Sequence, residues 1–440
     1  MHRKLIVLLA APAILGAQQA TTTDTTFHPI SLADALRLAN DNNVTNIIAD
    51  NAIRTASNGL RSARAQWYPN LQATAGQNIQ QGDRLGPSNS LIPISSKWAY
   101  STNLASSMTV FDGGKTRADI RTQQANVAQQ QANEVNSQFN IAFQVKQAYN
   151  AVLAARESEG AGRAQLATAQ LQLQTSIAKV SAGAANVSDS LRSVVQVGQA
   201  QLAILTAQNA FRTQSALLTR LVGTNYFVTA LPADTADRLG APLDSVQLMT
   251  LASQGPTVRA ADAAVSAANA TQRSAKSGYF PTISLNGSYG GSGTNAFYGV
   301  PGLHGDNVFP YSKSLGINAS FPIFNRYQRE NQVAAAQISY DNATAQARDA
   351  RLAAQQSVIT GLANLHNAEE TMRIQQIAVQ ASEEDLRVVQ QRYNLGASTL
   401  LDVLTSQQNL VNARQQLITA RLNYRNARAQ IEAAIGRDLP

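Results

Sequence analysis

The sequence contains no cysteine, which excludes a disulfide scaffold, a thiolate metal site, a cysteine nucleophile and lipid attachment at an N-terminal cysteine. Charge is scarce as well: 14% of the residues are Asp, Glu, Lys or Arg, against roughly 25% in an average soluble domain. At about 150 residues per domain, a chain of 440 residues suggests several globules, yet aromatics make up only 6% of it, too few for separate cores. One extended or repeated architecture fits better. The formal charge of +8 comes without a block of like charges, which speaks against nucleic-acid binding. Beyond the N-terminus no uninterrupted apolar run approaches the roughly 20 residues of a membrane-spanning helix, so a bilayer crossing would have to be made of β-structure.

What is present begins with a leader. His2-Arg3-Lys4 precedes the apolar residues 5–15 and the small residues Gly16 and Ala17, the pattern of a secretory signal. Residues 1–20 read as the signal peptide, with cleavage after Ala17 or Ala20. Proline is missing from residues 94–231 and 323–439, and glycine is sparse from Lys115 to Ala182 and from Arg326 to Leu395. Each of those stretches can form a helix on the order of 100 Å long. A short break follows each, Gly183-Ala184-Ala185-Asn186 and Gly396-Ala397-Ser398-Thr399, and then a returning helix ends near Gly223 or Gly436. Val403, Leu410, Leu417, Tyr424 and Ile431 recur at sevenfold spacing in one returning helix, and Val197, Ile204, Phe211 and Leu218 in the other. A second column, Leu404, Val411 and Ile418, widens the stripe and implies packing against helices on two sides.

These features expose a duplication: Gly436 follows Gly223, Asp402 follows Asp189, Gly396 follows Gly183 and Phe324 follows Phe111, each by 213 residues. Such self-similarity predicts two copies of one unit, here 29–223 and 243–440, joined by a linker at 224–242. Within each copy the period changes to two ahead of the long helix. Trp98, Tyr100, Thr102, Leu104, Ser106, Met108 and Val110 share one face, and Leu315, Ile317, Ala319 and Phe321 another. Weaker alternations follow Pro69 and Pro281. The expected order per copy is helix, strand, loop, strand, long helix, tip, returning helix, with loops at 82–97 and 291–310 rich in Gly, Pro, Ser and Asn. Four strands of about 10 residues can cross an outer membrane but cannot close a barrel. Open edges in lipid are forbidden, so a ring-shaped homo-oligomer is expected.

The chain resembles the TolC-like outer-membrane efflux proteins. The resemblance rests on Ile30-Ser31-Leu32-Ala33-Asp34-Ala35-Leu36, Tyr68-Pro69-Asn70-Leu71, Val110-Phe111-Asp112-Gly113-Gly114, Arg392-Tyr393-Asn394-Leu395-Gly396 and Leu401-Asp402-Val403-Leu404, in that order. It implies a mainly α chain with a transmembrane β part: a homotrimer whose four strands per chain build a 12-stranded barrel in the outer membrane, whose helical hairpins form an α-barrel tunnel through the periplasm, and whose residues 224–256 join an equatorial belt. A periplasmic adaptor protein would meet the helical tips at Gly183 and Gly396, an inner-membrane pump would supply energy, and outer-membrane lipid would surround the barrel.

By the same resemblance Asp189, Tyr393 and the neighbouring Ser188 match a periplasmic gate, and Asp402 an acidic ring at the narrow entrance. Ser398 stands where well-known relatives carry arginine, and Thr405 replaces a second acidic position. Asp189 and Asp402 also read as helix-capping carboxylates, and Tyr393 as a packing residue. Trp98 and Tyr100 read as an interfacial girdle or as simple strand formers.

No catalytic, metal or cofactor constellation emerges. Gly113-Gly114-Lys115-Thr116 imitates a phosphate loop but Thr109 occupies the position of its first glycine. Gly290-Gly291-Ser292-Gly293 lacks a following helix. His28, His304 and His366 have no second histidine at ligand spacing. The expected function is a passive exit duct rather than an enzyme. A secreted coiled-coil fibre or structural stalk is the alternative, and paired strands at matching points of both copies discriminate against it.

Overall fold

The computed structural model describes residues 26–85, 87, 90–232, 244–294 and 311–439, with side chains except at 80–85, 91–98 and 294. The leader, much of the linker, most of the second expected loop and the Trp98 ring lie outside the described residues.

Each copy opens with two short helices rather than one. In the first copy α1 (Leu32–Asn42) and α2 (Val44–Ala65) meet at Asn43. The Asn43 side chain accepts from Thr45 N–H at 2.9 Å and donates to the Leu221 carbonyl at 2.8 Å, so one residue caps a helix and anchors the bend. In the second copy α5 (Ser245–Ala252) and α6 (Pro256–Lys276) repeat the arrangement, with Pro256 at the first helical position. The long helices α3 (Lys115–Ser181) and α7 (Gln328–Asn394) contain 67 residues each, and the returning helices α4 (Val187–Val222) and α8 (Leu400–Ile435) contain 36 each. A short parallel pair, β1 (His28–Ile30) with β4 (Val228–Ala230), closes the first copy. Three-residue strands fall below what alternation in sequence can reveal.

The strands β2 (Asn70–Leu85), β3 (Leu91–Phe111), β5 (Thr282–Thr294) and β6 (Tyr311–Ser320) form one antiparallel sheet in the order β2-β3-β5-β6. The first two are longer than expected and run through most of what reads as the loop at 82–97. Two features permit this. A register shift between Gln80 and Gly82 absorbs an extra residue, and among the described residues Pro93 is paired with Asp83 of β2 alone. Both outer strands, β2 and β6, have one side unpaired within the chain. The sheet also lacks a core: Leu315 and Ile317 on β6 are 79% and 76% exposed.

Burial instead concentrates where the helices meet, and it repeats with the sequence. Ala35 and Leu248, Ala39 and Ala252, Val145 and Val358, Val152 and Leu365, Leu218 and Ile431, and Val222 and Ile435 are six buried pairs, each separated by 213 residues. In α8 the expected column is buried at Val403, Leu410, Tyr424 and Ile431, with Leu417 half-buried. In α4 the small residues Ser193, Ala200 and Ala207 are buried, as are their counterparts Ser406, Ala413 and Ala420 in α8, while Val197, Ile204 and Phe211 flank them half-exposed. Leu191, Val194, Val195, Leu202 and Leu205 then form an exposed apolar face on α4.

The copies are tied together by Lys146 of α3, which donates to Glu432 and Asp438 at 2.7 Å each. Burial works to lower the Lys146 pKa, but its two carboxylate partners win and the ammonium is held above its ordinary value. Glu432 also accepts from Leu439 N–H, and Arg428 donates to the Leu439 carbonyl, so the chain's last described residues are strapped onto α8.

At the strand-to-helix junctions the copies differ. Gly113 and Gly114 adopt left-handed φ values of 66° and 83°, and a side chain on Gly113 would strike Phe280 at 2.2 Å. Their counterparts, Arg326 and Tyr327, take φ values of 56° and 61°, a conformation that costs a non-glycine residue roughly 1–2 kcal/mol.

Because the matched cores do equivalent work, Leu218→Ala and Ile431→Ala should each cost about 2–5 kcal/mol of packing energy. Melting of the detergent-solubilised protein should show similar downward shifts for the two; a neutral result at either position would contradict the equivalence.

Candidate functional site

The tips where each long helix turns back are built alike. Gly183 and Gly396 sit at φ 70° and 76°. Ala184 N–H reaches back to the Lys179 carbonyl and Ala397 N–H to the Arg392 carbonyl, both at 2.8 Å, while each glycine N–H bonds three residues back. This closure satisfies the last carbonyls of a helix and requires a left-handed residue, which glycine supplies without strain.

The second halves of the tips diverge. α8 starts with a reciprocal cap: Thr399 Oγ1 accepts from Asp402 N–H, and Asp402 Oδ2 accepts from the backbone N–H of Thr399 at 2.8 Å. The same carboxylate oxygen accepts from the Thr399 and Ser398 hydroxyls, also at 2.8 Å. Thr399 N–H, followed by those two hydroxyls, holds the Asp402 carboxyl below its ordinary pKa against a small opposing effect of burial. Asp402 is therefore both an exposed carboxylate and the capping residue. Ser398, which stands where the resemblance would place an arginine, serves the cap. α4 starts at Asn186 with no side-chain cap. Asp189 is half-buried, Ser188 is exposed, and neither side chain is hydrogen-bonded to a described residue.

Tyr393 is buried at the tip with Leu400, Val403 and Leu404. At the tip it also links the two hairpins. Lys179 of α3 places its ammonium 3.6 Å from the ring centroid, a cation–π contact. Burial first, and then the negative charge of Asp189, push the Tyr393 hydroxyl above its ordinary pKa, partly offset by Ser176. The structure thus brings Tyr393, Asp189 and Lys179 into one electrostatic neighbourhood, with Asp402 and Ser188 outside it. Lys179 had no signal in the sequence beyond being a cation in the last turn of α3. Below this point Ser176 and Ser193 form a buried hydroxyl pair at 3.0 Å. The acidic run in α7 is engaged too: Glu383 pairs with Arg414, Glu384 with Arg387, and Asp385 accepts from Ser406. Among the described residues no group of three or more acidic or histidine side chains could hold a metal ion.

Acid should loosen the second tip in a defined window. The depressed pKa of Asp402 means that its cap is intact above the ordinary aspartate range and is lost as pH falls through the folded-state value. Hydrogen exchange at the first amides of α8, corrected for intrinsic rates, should accelerate in that window in the native protein and lose its pH dependence in Asp402→Asn. Thr399→Ala should weaken the same amides by about 1 kcal/mol at neutral pH.

Comparison with known proteins agrees with this architecture. The sequence profile of the outer membrane efflux protein family matches residues 38–224 and 248–437, one segment per copy. Outer membrane protein TolC of Escherichia coli is 24% identical over 349 residues, covering 77% of this chain and 69% of that one. TolC of Vibrio cholerae is 21% identical over 441 residues, covering 99% and 95%. The Campylobacter jejuni CmeC outer membrane channel superposes with a TM-score of 0.77 at 17% identity, covering 99% of this chain and 94% of that one. A secreted stalk would share neither the sheet nor these likenesses. The chain belongs to the outer membrane efflux protein family and is an outer-membrane channel that extends into the periplasm.

Proposed function

We propose that three copies of this chain form the passive exit duct of a tripartite export system. The observation that carries the reading is the sheet with two open edges, one from each copy of the duplicated unit. Twelve strands from three chains would leave no edge in lipid, and six helical hairpins would enclose the tunnel beneath. The apolar face of α4 at Leu191, Val194, Val195, Leu202 and Leu205 supports a neighbouring hairpin at that side. Residues 29–223 and 243–440 then act as the two matching staves of each protomer, with 224–242 linking them in the equatorial belt. A periplasmic adaptor docks on the tips around Gly183 and Gly396, and an inner-membrane pump supplies the energy. The chain performs no catalysis.

The gate lies at the tips. Tyr393 and Asp189 hold adjacent hairpins together, Ser188 precedes Asp189 at the exposed start of α4, and three Asp402 carboxylates ring the narrow entrance. With Ser398 committed to the cap, fewer polar links close the channel than an arginine there would provide.

Purified protein reconstituted in planar bilayers should conduct as a trimer; a monomer without conductance would refute the duct. Asp402→Ala should lower the preference for cations and weaken block by multivalent cations. Reversal potentials under a salt gradient check this, and unchanged selectivity would remove Asp402 from the pore.

A further inference from the structure

The charge that is spread thinly along the sequence is gathered by the fold. Because the four strands are antiparallel, with Asn70 opposite Ser107, Phe111 opposite Ile283 and Thr282 opposite Ser320, all four strand–helix junctions lie at one end of the sheet. Residues 61–68, 112–121, 273–280 and 326–330 at these junctions contain nine basic and three acidic residues. Setting those aside, together with Arg3 and Lys4, reduces the chain's 35 basic and 27 acidic residues to 24 of each. Outside the leader, the whole net charge therefore resides at this one level.

The three carboxylates there are already engaged. Asp112 caps α3 through Gly114 and Thr116, Asp119 is held by Lys115 and Ser274, and Glu330 by Arg329. Arg61, Arg64, Arg117, Arg273, Lys276 and Arg326 are exposed and form no ion pair with a described residue. Interleaved with them are exposed aromatics, including Tyr68 at 73%, Phe280 at 53%, Phe324 at 72% and Tyr327 at 66%.

Backbone strain points to the same place. Where the first copy uses Gly113 and Gly114, the second holds Arg326 and Tyr327 in the left-handed region. A strained conformation kept by residues with large side chains marks a use for those side chains. Their use is not packing: both are exposed, and the Tyr327 ring touches Phe324 edge-on at 5.8 Å while both face outward from the core.

We propose that this row is a collar that binds the anionic headgroups of phospholipids in the periplasmic leaflet. The inference rests on the placement of the sheet in the outer membrane. Arginine matches phosphate oxygens with a planar fork of donors. Aromatic rings settle at the headgroup level of a bilayer. A cationic row at that depth attracts anionic lipid in proportion to its unpaired charge.

The test uses the full-length protein in neutral detergent, with phosphatidylglycerol or phosphatidylcholine of identical acyl chains added, and reads melting temperature and the oligomer's size. Phosphatidylglycerol should raise the melting temperature beyond phosphatidylcholine by on the order of 5 °C, and high salt should erase the difference. Arg64→Gln/Lys276→Gln/Arg326→Gln should lose at least half of the lipid-specific shift. Arg326→Gly/Tyr327→Gly, which restores the glycines of the first copy, should melt no lower than the native protein without lipid and yet respond less to phosphatidylglycerol. Equal responses to the two lipids, or a full response in both variants, would overturn the collar. Loss of the trimer in the glutamine variant without any lipid preference in the native protein would assign these cations to contacts between copies and also overturn it. A trimer that conducts but shows no headgroup preference fails this inference alone; a chain that neither assembles nor conducts fails the duct.

Discussion

A β-sheet edge in lipid has no water to satisfy its N–H and C=O groups, and each unsatisfied group costs several kcal/mol. The rest of this molecule follows from that constraint. A four-stranded sheet bounded by β2 and β6 cannot stand alone in a bilayer, and neither of its faces is covered by helices. Closure has to come from further copies, and once the sheet is curved into a ring the helices that continue from it are placed on the same circle. The long hairpins are thus the continuation of a closed barrel, and their lateral apolar faces, exposed in one chain, are the surfaces that a ring would cover.

Duplication is the economical way to make such a wall. The buried pairs 213 residues apart show that the same helix-packing solution is used twice, and the pairing of β3 with β5 joins the copies within the membrane. Between the copies the helical part is tied by Lys146 to Glu432 and Asp438. Lys146 and Glu432 are largely shielded from water whereas Asp438 is 85% exposed, so the bond to Glu432 contributes the larger part of the tie. This tie fixes register between staves whose apolar seams alone would tolerate sliding by a heptad.

Much of this was legible in the sequence because it depends on periodicity. Proline-free stretches, sevenfold columns and the 213-residue offset are properties of long regular elements, and those elements appear where expected. What stayed hidden is local or relational. Strands β1 and β4 are too short for an alternation to register. The extension of β2 and β3 through a region rich in turn residues includes a register shift between Gln80 and Gly82, which only the neighbouring strand reveals. At the tip, Tyr393, Asp189 and Asp402 were readable as candidates, but Lys179 against the Tyr393 ring was not, because a cation near a helix end looks the same whether it faces solvent or an aromatic. The gathering of net charge at the junctions was invisible for the same reason: residues 61–68 and 326–330 are distant in sequence and reach the same end of the sheet only through the antiparallel strand order.

Two of the differences between the copies fall at the ends of the wall. At the tip, one returning helix has a reciprocal cap at Thr399 and Asp402 while the other has none. A capped start is rigid; an uncapped one leaves its first amides to solvent and its Asp189 carboxylate available to a neighbour. At the membrane end, one junction relaxes through Gly113 and Gly114 and the other strains Arg326 and Tyr327 into the same backbone. Two copies folded from one pattern therefore present different chemistry above and below a common core. A wall that meets lipid at one end and the periplasm at the other can carry different residues at those ends because the helix core between them is built twice from matching buried positions.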